Sequence, residues 1–354
     1  MNRILREDFQ DILTSLEGRS DAFRGKRVFM TGGTGFIGSW LTGALLWANR
    51  EARLGMRLTL LSRDPEAFKR KRPEIASLGD VEFIKGDVRT FDPAGIEADL
   101  VVNGATEASA ALNAEAPLLM MDTIVDGARR VCAVNAERSL FISSGAVYGK
   151  PPTGLRAFCE DYEGAPSSLD PAQAYGVAKR LAELYTVCAA KKNGCDAVIA
   201  RCFAFVGPYL PLDAHFAIGN FIRDGLDGKA IRINGDGKPR RSYQYAADMA
   251  KALLFLLIDG KPGEAYNVGS GEAVSIAELG GAVSNAFGAV PVEVLGQSRP
   301  TDRNQDYLPD ISKIETELPE IRNRSLSEAI ARTRDYHKDE RGNGAERVAA
   351  REKE

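Results

Sequence analysis

The chain contains only two histidines, His215 and His337, among 354 residues. That scarcity removes most Ser-His-Asp and Cys-His arrangements and most histidine-ligated metals, so Tyr, Lys and carboxylates must carry any acid/base chemistry. His215 follows a proline-containing turn and reads as a surface or ligand-rim residue; His337 lies near a polar tail. The five cysteines (Cys132, Cys159, Cys188, Cys195, Cys202) are odd in number and lack CxxC spacing. They suggest neither a disulfide framework nor a zinc site, and read as reduced thiols of a cytoplasmic protein. No apolar run approaches the roughly 20 residues of a membrane span. The longest, 252–258, reads as a buried helix turn, and the N-terminus lacks the apolar core of a signal peptide. A net charge of -3 offers no field for a nucleic-acid backbone, although it leaves room for a local positive pocket around one phosphorylated ligand.

With 44% hydrophobic and 27% charged residues, the composition is that of a soluble globular protein, long enough for two domains or one large one. Residues 1–24 carry Ile4, Leu5, Phe9, Ile12, Leu13 and Leu16 at helical spacing, an amphipathic helix suited to docking on the main body or on a partner subunit. The strand Val28-Phe-Met-Thr31 then runs directly into Gly32-Gly-Thr-Gly35-Phe36-Ile37-Gly38 and an apolar helix at about 39–48. Strand, glycine turn and helix form a nucleotide-binding unit, because glycines let backbone N–H groups approach a pyrophosphate at the positive end of a helix. Gly32, Gly35, Phe36, Ile37 and Gly38 are therefore candidate cofactor contacts.

The second strand, 58–61, ends in Ser62-Arg63. An acidic residue there would take ribose hydroxyls, whereas an arginine accommodates a 2′-phosphate, so Arg63 leans toward NADP, with NAD as the alternative. A third strand at 81–84 leads to Gly86-Asp87-Val88. Asp87 and Val88 are candidate adenine contacts, and Asp87 reads equally well as a capping residue. Strands at 100–102 and 140–142 end in Asn103-Gly-Ala105 and Ser143-Ser144. This alternation predicts an α/β fold with a doubly wound, parallel, Rossmann-type sheet whose ligands sit beyond the carboxyl ends of the strands. The expected division is a dinucleotide-binding domain over 25–200 and a smaller, interleaved substrate-binding domain over 201–335, part of which returns to the sheet. Residues 336–354 read as a charged tail, frayed from Lys338 on.

Asp170-Pro171 resembles a helix start, and Tyr175 and Lys179 then stand one turn apart on one face. A cation beside a phenol favours the phenolate and lowers its pKa from about 10 toward the working pH. In isolation the pair is also ordinary helix surface.

Taken in order, Thr31-Gly-Gly-Thr-Gly-Phe-Ile-Gly38, Ser143-Ser144 and Tyr175-xxx-Lys179 resemble the extended short-chain dehydrogenase/reductase family, in its nucleotide-sugar epimerase/dehydratase branch, over about residues 26–335. The resemblance implies that Tyr175 is the acid/base and that Lys179 lowers its pKa and holds the nicotinamide ribose of NAD(P). It further implies that Ser144 hydrogen-bonds the reacting sugar oxygen and that the protein is a homodimer built by helix pairing. Arg241, in Gly235-Asp-Gly237 … Arg241-Ser-Tyr-Gln-Tyr, and Arg299, in Ser298-Arg299-Pro300-Thr-Asp302, match segments whose arginines contact the sugar-nucleotide pyrophosphate. Members that dehydrate or decarboxylate place carboxylates where this chain has Gly145 and Ala146, and many relatives have asparagine in place of Ala204. The expectation is therefore hydride transfer at sugar C4 by a 4-epimerase or 4-ketoreductase. A 4,6-dehydratase with a substituted acid/base such as Glu107 is the alternative, and a non-catalytic dinucleotide-binding protein the remote one.

Overall fold

The computed structural model describes residues 1–106, 110–214, 216–297 and 306–351. Seven strands, β1 (Arg27–Thr31), β2 (Arg57–Ser62), β3 (Glu82–Lys85), β4 (Leu100–Asn103), β5 (Arg138–Ser144), β6 (Asp196–Cys202) and β7 (Ala265–Val268), form one sheet in the order β7-β6-β5-β4-β1-β2-β3. Every pairing is parallel. Phe29, Met30, Val101 and Val102 are all buried, as expected of strands covered on both faces. The chain leaves β1 in one direction to β2 and β3 and returns on its other side at β4. That reversal opens a crevice beyond Thr31 and Asn103, where doubly wound sheets hold their ligands.

Three helices pack in the core on one side of the sheet: α1 (Arg3–Ser15), α2 (Phe36–Glu51) and α5 (Ala246–Asp259). Two more, α3 (Pro117–Val131) and α4 (Ala174–Asn193), pack with Phe141 and Ile199 in a separate cluster. The smaller lobe is built from short pairs: Ile231–Ile233 beside Val292–Val294, and Arg240–Arg241 antiparallel to Val274–Ser275. The chain enters this lobe after β6, and β7 then extends the main sheet.

The N-terminal segment is helical only to Ser15, with a separate 3-10 turn at Ser20–Phe23. Gly43 on α2 makes room for it, since a Cβ there would lie 2.4 Å from the Phe9 ring, which meets Trp40 at 5.6 Å between centroids. At the other terminus, the segment expected to fray from Lys338 is helical, in α6 (Leu326–Arg351). Both termini are tied down by a charged cluster. Asp8, with no exposed surface, accepts hydrogen bonds from the Tyr245 hydroxyl at 2.6 Å and from Arg332 at 2.8 Å. Asp11 accepts from Lys251 and Arg324, and Arg324 also pairs with the buried Asp248.

Burial raises the Asp8 carboxyl from 3.8 to about 6 despite the two arginines beside it. Between those values the folded chain holds a proton that the unfolded chain has released. The contribution is therefore complete below the unfolded value and lost as pH rises through the folded one. Urea denaturation is expected to show wild type losing on the order of 3 kcal/mol relative to Asp8→Asn between about pH 4 and pH 6. Parallel pH profiles for the two proteins would contradict this.

Candidate active site

The glycine turn is sterically obligatory at two positions. Gly32 has φ 74°, and a Cβ there would lie 2.3 Å from the Gly104 carbonyl oxygen; one at Gly38 would lie 2.0 Å from the Gly32 carbonyl oxygen. Gly35 is the N-cap of α2 and provides no side-chain acceptor. The first-turn amides that follow, at Phe36 and Ile37, are left for a ligand rather than a cap. Across the crevice, the side-chain amide nitrogen of Asn103 is buried without a partner, while its oxygen takes the Thr31 hydroxyl at 3.3 Å. An uncapped helix start and an orphaned buried donor fit a dinucleotide.

Arg63 is exposed just beyond the last residue of β2. Asp87 is occupied by its neighbour: Arg89 donates to it from its backbone and twice from its guanidinium, each at 2.9 Å. Those bonds, with Arg63 adding its charge, hold the carboxyl down at about 2. Asp87 thus closes a turn onto Arg89, with no helix beginning there for it to cap. The Val88 side chain packs with Phe29, Leu61 and Phe91 in a core cluster.

Asp170 caps a single 3-10 turn, Pro171–Gln173, and α4 follows directly. Tyr175 is positioned by Asn113, whose oxygen accepts its backbone N–H at 3.1 Å while its nitrogen donates to the Ala172 carbonyl. Lys179, 2% exposed, donates to the Ile142 carbonyl at 2.7 Å and to the Thr106 hydroxyl at 3.0 Å. Its Nζ lies 5.9 Å from the centre of the Tyr175 ring. The sequence spacing predicts a phenol pKa lowered by this lysine, and the structure corrects that. Desolvation dominates, raising Tyr175 to about 12, with the nearby Ser144 hydroxyl pulling the other way. It also lowers Lys179 to about 8. The ammonium is committed to oxygens at the end of β5 and beyond β4, so its i,i+4 position does not put it on the phenol oxygen.

Ser144, the last residue of β5, accepts the Ala146 N–H at 3.2 Å, and its hydroxyl draws the pKa values of the nearby Tyr175 and Tyr307 phenols down against burial. Beneath it, Ser143 donates to the buried Glu183 at 2.5 Å, and Glu183 pairs with Arg201 at 2.9 Å. Arg201 reaches the hydroxyl of Tyr148, which stacks on Phe158 with centroids 4.9 Å apart. Tyr148 therefore supports the floor of the site. Arg241 lies over the same crevice rim, its guanidinium 5.9 Å from the Tyr307 ring centre. Beside that lobe is an open cleft of about 700 Å³ lined by Phe221, Ile233, Asn234, Gly235 and Gly237. Arg299, Asp302 and Glu107 fall outside the described residues. No cluster of metal-ligating side chains occurs among the described residues.

Thr106, Asn113, Glu183 and Tyr307 were not singled out from sequence. The first three serve through partners tens of residues away, which no local spacing encodes. For Tyr307 there was a faint signal: Gly145 is a missing side chain next to the serine, and space left there must be filled.

Comparison with known proteins gives a consistent picture. A family model described as the NAD dependent epimerase/dehydratase family matches residues 28–269. UDP-glucuronic acid decarboxylase 1 of Xenopus tropicalis is 28% identical over 295 residues, covering 81% of this chain and 66% of that protein, slightly under two thirds of its length. A dTDP-glucose 4,6-dehydratase from Streptomyces venezuelae, solved with NAD bound, is similar at a TM-score of 0.75 and 25% identity, covering 89% of this chain and 98% of that one. UDP-glucose 4-epimerase from Thermus thermophilus, in complex with NAD, is similar at 0.71 and 26%, covering 88% and 99%.

Proposed function

Because the chain belongs to the NAD dependent epimerase/dehydratase family, we propose that it carries out reversible hydride transfer at C4 of a nucleotide-linked hexose, as a 4-epimerase or a 4-ketoreductase. The three relatives bear different reaction names, and a single C4 ketone would serve all three reactions. A C4 ketone acidifies the C5 proton for loss of water, stabilises the carbanion left by loss of CO2, and allows reduction from either face. What separates the outcomes is the second set of titratable groups. The observation that carries the present reading is Gly145: a Cβ there would lie 2.6 Å from both the Tyr307 hydroxyl and Phe203 Cζ. The place for a carboxylate beside Ser144 is therefore filled by an aromatic pair, and Ala146 next to it has no proton to exchange.

Ser144 and Tyr175 flank the C4 oxygen in this scheme. Tyr175 takes the hydroxyl proton as the C4–O bond becomes a carbonyl, and Ser144 donates to that oxygen. A nicotinamide bound in the crevice supplies the hydride acceptor. Lys179, one turn along α4, stands 5.9 Å from the centre of the phenol ring in a dry setting, and Arg241 offers planar donors to a pyrophosphate. The open cleft at Phe221 and Ile233 is of a size to take the base.

Incubating the purified protein with UDP- and dTDP-hexoses, and with their 4-keto derivatives, is expected to yield either the C4 epimer with bound, non-exchanging NAD or NADPH consumption with the keto sugar. Tyr175→Phe is expected to lower kcat by about 10²–10⁴-fold. A 4-keto-6-deoxy product formed with loss of water would sink the reading in favour of a dehydratase.

For the cofactor, we propose that Arg63 receives a 2′-phosphate. It stands near enough to Asp87 to lower that carboxyl, at the strand end where the ribose is read. Calorimetric titration of Arg63→Ala should show NADP weakened about 10-fold or more, the worth of one charged hydrogen bond, with NAD unchanged. Equal weakening of both, or neither, argues for NAD.

We also propose a homodimer formed by α3 and α4, which leave Leu118 (74% exposed), Leu119, Leu181, Leu184 (62%) and Tyr185 in water. An apolar stripe over two packed helices is what a second copy would cover. Light scattering should give a dimer for wild type and a monomer for Leu184→Arg; a monomeric wild type ends the proposal.

A further inference from the structure

We infer that Tyr307 is a specificity-determining residue for the sugar: its hydroxyl donates to a substrate oxygen beside C4, on C3 or C6, and so selects hexoses that carry that oxygen. The inference rests on the C4 hydride-transfer reading above, which puts the C4 oxygen between Ser144 and Tyr175. Gly145 follows Ser144 directly, about 3.8 Å away between Cα atoms. The Tyr307 hydroxyl oxygen would lie 2.6 Å from a Cβ on Gly145. The hydroxyl therefore stands about one residue along from the serine, the scale on which neighbouring substituents of a pyranose are spaced. Ser144 serves C4, and Tyr307 is placed for the substituent next to it.

That wall has little else with which to read a hydroxyl. Gly145 and Ala146 follow β5, Phe203 and Ala204 follow β6, and none of the four has a polar side-chain atom. A Cβ on Gly145 would also lie 2.6 Å from Phe203 Cζ, so the phenol and the phenyl ring share the space. Packing alone would be served by a second phenylalanine. The tyrosine adds one oxygen, whereas the hydrogen bond that Tyr307 donates within the protein comes from its backbone N–H. A phenol hydroxyl covered by a sugar loses its bond to water, a cost that a substrate oxygen offsets. A site built this way favours the sugar that has the oxygen over the deoxy sugar that lacks it.

The hydroxyl is also held still. The Tyr307 ring lies 4.7 Å from that of Phe203, between centroids, with the Arg241 guanidinium 5.9 Å from its centre. Its N–H donates to the Arg240 carbonyl at 3.0 Å, and the Arg240 N–H donates to the Asp306 carboxylate at 2.8 Å. The following residues are pinned to Phe158, whose N–H donates to the Leu308 carbonyl and whose carbonyl accepts from the Asp310 N–H, each at 2.8 Å. Asn267, on β7, donates to the carbonyls of Phe158 at 2.8 Å and Asp310 at 3.0 Å, which ties the segment to the main sheet. A donor fixed before the sugar arrives loses little freedom on binding, so more of its hydrogen bond reaches the affinity.

The test is a binding cycle, read by calorimetry on the full-length protein saturated with NAD or, in parallel samples, NADP. Tyr175→Phe is the background for every sample, so that no sugar is turned over during the titration. The probes are UDP-glucose and dTDP-glucose, each with its 3-deoxy and 6-deoxy derivatives. Tyr307→Phe, which keeps the ring against Phe203, is expected to weaken the parent sugar about 3- to 10-fold, the worth of one hydrogen bond. One deoxy sugar, the one without the oxygen that Tyr307 reads, should bind with and without the Tyr307 hydroxyl alike; the other should be weakened as the parent is. A merely structural role would weaken all three equally, and that result, or no weakening of any, overturns the proposal. A protein that binds none of these sugars overturns it together with the C4 reading. Failure of the C4 reading alone shows separately, with Tyr175 intact, as a sugar discriminated by Tyr307 yet neither epimerised nor reduced.

Discussion

The charge of Lys179 is held almost out of contact with water, and the rest of the site follows from how that burial is compensated. An isolated ammonium in an apolar interior is costly, so its donors are fixed on the Ile142 carbonyl and the Thr106 hydroxyl, and its pKa falls to about 8. The same dryness raises Tyr175. Two groups that sequence spacing alone would place in an ion pair are instead each pushed toward neutrality. A charge entering the crevice would be felt strongly there, because the water that would screen it is excluded. The poise of the pair is therefore set by what binds and by Ser144, more than by the lysine.

That arrangement is available only because seven parallel strands end on one edge. Ser144 terminates β5, Cys202 lies in register with it on β6, and Thr31 pairs with Asn103 across the reversal of strand order. Gly32 and Gly38 let the first turn close so tightly that no side chain is tolerated at either residue. The α1 helix contributes from the far side, where the Asp8, Arg332 and Arg324 cluster ties the two ends of the chain to α5 and Tyr245. Buried pairs of this kind are in themselves weak evidence of stability, because desolvation offsets much of their attraction.

The layered fold, the glycine turn and the Tyr175–Lys179 helix were legible in the sequence because each is a local pattern: a 2- or 3.6-residue period, a glycine that alone fits, or an i,i+4 pair. The division of labour inside the site was not. Asp87 accepts from Arg89, two residues away, a competition that residue type alone leaves undecided. The phenol titrates high because burial dominates there, and the ammonium is engaged by distant partners, Ile142 and Thr106, that local spacing does not encode. The charged C-terminal stretch read as frayed yet continues α6, whose earlier turns are anchored on α1 through Arg332.

The departure from the family pattern at Gly145 has a steric basis in the fold. By composition it is only a residue without an acid, which suggests an enzyme that has lost an elimination step. In three dimensions the vacancy has an occupant from 162 positions further along the chain, whose hydroxyl would lie 2.6 Å from a Cβ there. A glycine that arose merely by loss would leave a hole, and close-packed interiors rarely keep one. Here Phe203 and Tyr307 close the space together, at 4.7 Å between ring centres, so a carboxylate at position 145 would have to displace both. On the reading proposed above, oxidation and reduction at one carbon need only the phenol, the serine and a dry lysine, and that packing leaves those groups in place.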